Sequence, residues 1–269
     1  MGESYQDFAE VYDELMDNVP YEEWCDVICE TIEKYGVSKP ERDSEDALRS
    51  ERNLVVDLGC GTGTLTEMLY DRGYDLIGVD LSDAMLAVAM EKREKSGSQI
   101  LYLEQDMREL ELYCTVGTIV SVCDSINYLL EENDLLETFR LVNNYLYPGG
   151  IFIFDFNTDY KYREVIGDTV IAENREDCSF IWENFYDPEE ECNEYDLTIF
   201  VQEEDGRFRR FEETHVQRGY SAEQVERLIR QAGMEIVEMK DSETGEKVTP
   251  ESERIFMVAR ECTKEKAEA

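Results

Sequence analysis

Leu54-Val55-Val56-Asp57-Leu58-Gly59-Cys60-Gly61-Thr62-Gly63 sets the frame for the rest of the chain. A short apolar run of strand length meets glycines at alternate positions. Leu65, Met68 and Leu69 then repeat at helical spacing until Gly73. The pattern predicts strand, tight turn, helix. Glycines allow the backbone to turn sharply and leave no Cβ in the way, so a flat ligand can lie against the main chain beside a helix N-terminus. The turn alone does not identify that ligand; its surroundings narrow it.

A second strand, Leu76 to Val79, ends in Asp80, about where doubly wound nucleotide sites place an acid to accept ribose hydroxyls. Dinucleotide enzymes share that plan, but here the glycines read GxGxG, and Thr64 stands where GxGxxG needs its third glycine. Asp57 precedes the first glycine by two. A carboxylate there suits an ammonium group better than a pyrophosphate. With Gln105-Asp106-Met107 after the third strand, Cys123-Asp124 after the fourth and Leu146-Tyr147-Pro148-Gly149-Gly150 before the fifth, the stretch from Asn53 to Asn157 resembles the class I S-adenosylmethionine (SAM)-dependent methyltransferases.

The resemblance implies a doubly wound, mostly parallel seven-stranded α/β sheet ending in an antiparallel strand pair, with SAM as cofactor and S-adenosyl-L-homocysteine as product. Gly59, Gly61 and Gly63, with Asp57, would hold the methionine half, and Asp80 the ribose. Leu81 and Met85 would flank the adenine, although Met85 could equally be plain helix-on-sheet packing. Asp106 would accept from the adenine amino group, the Met107 amide would address a ring nitrogen, and Cys123 would sit where donor and acceptor meet. An aromatic-rich opening of the type Tyr-x-x-x-Ala-x-x-Tyr-Asp covers the methionine end in related enzymes, which makes Tyr5 and Tyr12 lid candidates beside the alternative of aromatic core packing.

The chain of 269 residues carries 64 acids against 26 bases, a formal charge of −38. Such a surface repels phosphate backbones, so an uncharged or cationic small molecule is a better partner than nucleic acid; the acidity could as well serve solubility. No apolar run is long enough to span a membrane and the N-terminus lacks a signal-peptide pattern, so a cytoplasmic protein is expected. The 8 cysteines are too sparse for a disulfide scaffold and, with 1 histidine, offer no zinc cluster. No metal is expected.

The opening residues place Phe8, Val11, Tyr12, Leu15 and Met16 on one helical stripe, and a second helix runs about Tyr21 to Tyr35. Lys39 to Asn53 reads as a charged connector without periodicity. Ser82 caps a helix. Asn127 and Tyr128 either line an acceptor pocket or start the next helix. The sequence from Cys123 lacks the Asn/Asp-Pro-Pro-Tyr signature of many amino methyltransferases, which disfavours DNA-adenine and protein-glutamine acceptors. Between Thr169 and Tyr220 the pattern changes to antiparallel strands. Small-molecule methyltransferases such as glycine N-methyltransferase place a β-rich lid here. The division follows: 1–50 helical cap, 51–158 SAM-binding core, 159–218 inserted β lid, 219–269 return of the core and tail.

Methyl transfer from a sulfonium is an in-line displacement, so the protein chiefly aligns the partners and excludes water. His215, with Phe211, Glu213 and Gln217 on one strand face, is the candidate base or substrate contact; a structural histidine is the alternative. Tyr12 and Arg218 complete the candidate catalytic set. The expected activity is methyl transfer to nitrogen or oxygen of a small molecule. The alternatives are a SAM-binding protein without turnover, or another enzyme on this fold such as an aminopropyltransferase. The methyl acceptor and the oligomeric state are not legible at this level.

Overall fold

Val55 and Val56 are both fully buried, on opposite faces, because β1 (Leu54–Leu58) runs through the middle of a sheet covered on both sides. A computed structural model describes residues 8–42, 47–203 and 205–264. β1 pairs in parallel with β2 (Asp75–Asp80) and β4 (Val116–Ser121); β3 (Leu101–Glu104) extends one side and β5 (Leu146–Asn157) the other. Two antiparallel strands, β10 (Met234–Asp241) and β11 (Arg254–Glu261), complete the order β10-β11-β5-β4-β1-β2-β3. This is the expected class of sheet, with its switch point between β1 and β4.

Period-2 alternation sends the two sets of strand side chains into two cores. On one face Val55, Leu76, Val120 and Ile153 pack against α2 (Tyr21–Tyr35), α4 (Thr64–Asp71) and α5 (Asp83–Ser96). On the other, Val56, Ile119, Phe152 and Phe154 meet α6 (Glu132–Tyr145) and α7 (Ala222–Gln231). Ser82 caps α5, accepting from the Met85 amide at 3.2 Å, and Ser221 with Gln224 closes a capping box on α7.

Three local expectations are corrected. The connector contains a helix, α3 (Ala47–Asn53), which lacks apolar periodicity and is tied down by polar contacts: Ser38 Oγ donates to the Arg52 carbonyl at 3.1 Å, and the Lys39 amide to Asn53 Oδ1 at 3.2 Å. Pro148-Gly149-Gly150 does not precede the fifth strand but lies inside it, where a register shift against β4 absorbs the irregularity. The opening stripe is not one helix. A 3₁₀ turn, Phe8–Glu10, is followed by the four-residue α1 (Tyr12–Leu15), the chain breaking at Val11 with φ −115° and ψ 1°.

After β5 a π-helical turn over Lys161–Ile166 leads into a second sheet of four antiparallel strands: β6 (Val170–Asn174), β7 (Cys178–Asp187), β8 (Cys192–Gln202) and β9 (Phe208–Arg218). Its inner face does not lie bare. Cys178, Leu197 and Ile199 bury themselves against Phe8, Val11 and Leu15, a third small core that binds the opening segment to the inserted sheet. Tyr5 lies outside the described residues.

Candidate active site

The parallel strands end in loops at their carboxyl edge, where open α/β sheets form crevices, and here they enclose a cavity of about 200 Å³. One end is built by the glycine turn. Gly61 has φ +53°, and a Cβ built on it would meet nothing within 4 Å, so its main chain faces open space. At Gly59 (φ +80°) a Cβ would instead run into Ser125 Oγ at 2.6 Å, a steric reason for glycine independent of any ligand.

Two carboxylates border this end. Asp80, at the tip of β2, accepts from the Gly61 amide (2.7 Å) on Oδ2 and the Ser82 amide (2.9 Å) on Oδ1. Burial raises its pKa against the pull of those donors. Asp57, only 2% exposed, accepts the Thr66 hydroxyl at 2.6 Å. Burial pushes its carboxyl up to about 6, offset in part by Thr66 and reinforced by the nearby Asp80 charge. A positive group in the cavity would relieve both acids.

Leu81, Met85 and Met107 add apolar lining. Asp106 also lines the cavity, but its carboxylate is engaged: Arg108 Nε reaches both oxygens, at 2.9 and 3.0 Å, and Oδ1 caps the turn by accepting from the Arg108 amide at 2.9 Å. The Arg108 guanidinium holds the Asp106 pKa below the usual carboxylate range.

Tyr12, Tyr21, Cys123, Ser125 and Tyr128 complete the lining. Cys123 and Asp124 both have positive φ, 63° and 53°, a strained pair of the kind that collects at functional loops. Burial pushes the Cys123 thiol up to about 12, so it is neutral and not a thiolate nucleophile. The opening segment is fastened over the glycine turn by Asp13. Its Oδ1 accepts from the hydroxyls of Thr62 (2.6 Å) and Thr64 (3.1 Å), and Oδ2 pairs with Lys92 Nζ at 2.6 Å. Asp13, Tyr21 and Thr62 were not singled out in the sequence; the Tyr-Asp dipeptide was the available signal for the first.

Not every candidate reaches the cavity lining. His215 is buried behind it, its Nδ1 3.3 Å from the Tyr128 hydroxyl and its ring stacked on Tyr195 with centroids 5.0 Å apart. The Arg218 guanidinium is spent on the Leu130 carbonyl (2.8 Å) and Glu191 (2.9 Å). Asn127 is a clamp: it donates to the Asn157 and Arg218 carbonyls at 2.9 and 2.7 Å and accepts the Asn157 amide. Arg254 joins Asp124 of the loop after β4; Asp124 also receives Gln217 Nε2 at 2.7 Å, and Arg254 stands 3.7 Å from Asp155. Among the described residues no group of three or more His, Cys, Asp or Glu could hold a metal ion, and no helix is long and apolar enough to cross a membrane.

Residues 55–150 match a family described as "Methyltransferase domain". The chain is 35% identical over 257 residues to "Putative methyltransferase YqeM" of Bacillus subtilis (strain 168), covering 95% of this chain and 96% of that one. It is 30% identical over 116 residues to the dTDP-3-amino-3,4,6-trideoxy-alpha-D-glucopyranose N,N-dimethyltransferase of Streptomyces venezuelae, 42% of this chain and 47% of that one. The structure is similar to that of an S-adenosylmethionine-dependent methyltransferase from Clostridium acetobutylicum ATCC 824, with a TM-score of 0.83, 29% identity, and coverage of 96% of this chain and 99% of that one.

Proposed function

Because this chain belongs to the class I S-adenosylmethionine-dependent methyltransferases, we propose that it methylates a nitrogen or oxygen of a small molecule by direct in-line transfer. The observation that carries this reading is that one cavity is lined by Asp57, Gly61 and Asp80 and also by Tyr12, Cys123 and Tyr128. SAM supplies an electrophilic methyl group on a sulfonium. The residues present fit it: open main chain at Gly61, Asp57 for an ammonium, Asp80 for the ribose hydroxyls, and Leu81 and Met85 beside a flat ring. Asp106 serves the adenine end by holding the Met107–Glu109 turn through Arg108. Tyr12 and Tyr21 cover the methyl end, exclude water and orient the acceptor.

In this reading residues 1–50 are a cap, 51–158 the donor-binding core, 159–218 a lid that selects the acceptor and 219–269 the return of the core. Arg218 is a brace of that lid. The sequence similarity to an amino-sugar N,N-dimethyltransferase supports an amine as the nucleophile. The net charge of −38 supports a small acceptor in place of nucleic acid. The test is transfer of labelled methyl from SAM to a library of small amines and alcohols, run beside total RNA, DNA and protein. Label in the small-molecule fraction is the expected result. Label confined to a macromolecule would refute the acceptor class, and SAM binding without label anywhere would refute turnover.

A further inference from the structure

Tyr128 lines the cavity and meets the inserted sheet. Its hydroxyl lies 2.9 Å from the Tyr195 hydroxyl and 3.3 Å from His215 Nδ1. On the far side of the imidazole, Nε2 is 3.4 Å from Glu213 Oε2, a charge contact without hydrogen-bond geometry, and both side chains are nearly buried, 1% and 7% exposed. Glu213 is held in turn, its Oε1 accepting the Phe8 amide at 3.0 Å. The direction of the wiring follows from charge. A carboxylate beside Nε2 favours the tautomer with its proton there, which leaves Nδ1 as an acceptor. Tyr128 then donates to Nδ1 and accepts from Tyr195, whose second hydrogen bond steadies negative charge on the Tyr128 oxygen.

We propose that Tyr128, His215 and Glu213 are a proton relay leading out of the acceptor end, and that the acceptor is a nucleophile that must shed a proton, foremost an amine met as its ammonium. The proposal rests on the reading of the cavity as a methyl-transfer site. An ammonium has no lone pair until a base removes a proton, so a base at the pocket wall has a defined task. In the transfer the nucleophile's lone pair forms the bond to the methyl carbon, and the carbon–sulfur electron pair stays with sulfur. For that lone pair to exist, the ammonium's proton first passes to Tyr128 Oη as the Tyr128 proton passes to His215 Nδ1. The resulting imidazolium faces the Glu213 carboxylate, and when the product leaves its proton returns through Tyr128 Oη to solvent in the emptied cavity. Tyr128 is the catalytic residue of this scheme; His215 and Glu213 act through it. Because Glu213 is positioned by Phe8, the relay is complete only with the opening segment docked.

His215 is the 1 histidine of the chain, so ring ¹⁵N labelling of the full-length protein reports on the relay without interference. The parent with S-adenosylhomocysteine is expected to show the Nε2-protonated tautomer. Tyr128→Phe should shift the Nδ1 resonance by removing the hydrogen bond it accepts, and Glu213→Gln should mix the tautomers. Calorimetry should find S-adenosylhomocysteine affinity within about fivefold of the parent in both, a difference of about 1 kcal/mol. An Nδ1-protonated parent, or an Nδ1 signal unmoved by Tyr128→Phe, would overturn the relay while leaving methyl transfer standing. A parent that fails to bind S-adenosylhomocysteine would remove the reading beneath it, and the relay with it. Should Glu213→Gln fail to fold, Tyr128→Phe, which keeps the ring, decides alone.

Discussion

The Gly61 amide donates to Asp80 Oδ2 at 2.7 Å, so the turn after the first strand and the acid ending the second are one rigid unit. Nineteen residues of sequence separate them. The bond explains how a loop of glycines, costly to order because of their backbone freedom, is held open against the cavity. Asp80 thus shapes the turn, besides the ribose contact proposed for it.

Asp80→Ala should lower SAM affinity at least about tenfold, since two ribose hydroxyls and the Gly61 amide lose a charged acceptor, worth about 1.5–3 kcal/mol. Gly61→Val should be worse, because its side chain would project into the open space that the backbone faces. Calorimetric titration of SAM reads both. Parent-like binding in Asp80→Ala would place the donor elsewhere.

Asp57 gives a pH dependence with a definite sign. Its folded-state carboxyl sits at about 6 against an ordinary 3.8, so between those values the folded chain holds a proton that the unfolded chain has lost. Stability therefore falls as pH rises through that window, by about 3 kcal/mol in all. Asp57→Asn should be more stable than the parent at pH 7.5 by up to that amount, and equal to it below about pH 4. Denaturant unfolding at the two pH values measures this. Donor binding should run the other way, weakening for the parent below about pH 6 as the carboxylate is neutralised, and at least about tenfold weaker in Asp57→Asn at pH 7.5.

The Asp13 latch should matter to binding more than to stability. Its carboxylate is 40% exposed, so Asp13→Ala should cost global stability less than about 1 kcal/mol. It releases Thr62, Thr64 and Lys92 from the opening segment, however, and SAM should dissociate about three- to tenfold faster. Stopped-flow displacement checks this. An unchanged dissociation rate would show that the small core at Phe8, Val11 and Leu15 holds the segment unaided.

Arg254 neutralises two acids in the interior, Asp124 and Asp155, with its side chain only 16% exposed. Arg254→Met should cost about 3–5 kcal/mol at neutral pH, because it strands the buried Asp155 carboxylate beside a half-buried Asp124. Burial already raises the Asp155 pKa, and the arginine opposes that rise. Without it the Asp155 carboxyl protonates more readily, so the deficit should shrink on acidification, and Asp155→Asn should recover part of it. A deficit independent of pH would assign the loss to packing.

The sequence was most informative where physics is local. Alternate glycines after a short apolar run, an acid at the next strand end and period-2 burial are consequences of backbone sterics and of one sheet covered on both faces. The sheet, its antiparallel end and the insertion of a second sheet are therefore legible in one dimension, as are Gly61, Asp80, Leu81 and Met85 at the cavity. Helix α3 was not, because polar contacts from Ser38 and Lys39 hold it and no apolar stripe announces it. The acceptor end was not either. His215 meets Tyr128 across 87 residues, Glu213 meets Phe8 across 205, and Gln217 meets Asp124 across 93. Strand alternation predicted which side His215 faces; only the docking of the inserted sheet onto the opening segment decided what stands there. Such contacts are made by packing two separately formed surfaces, and no spacing along the chain encodes the distance between them.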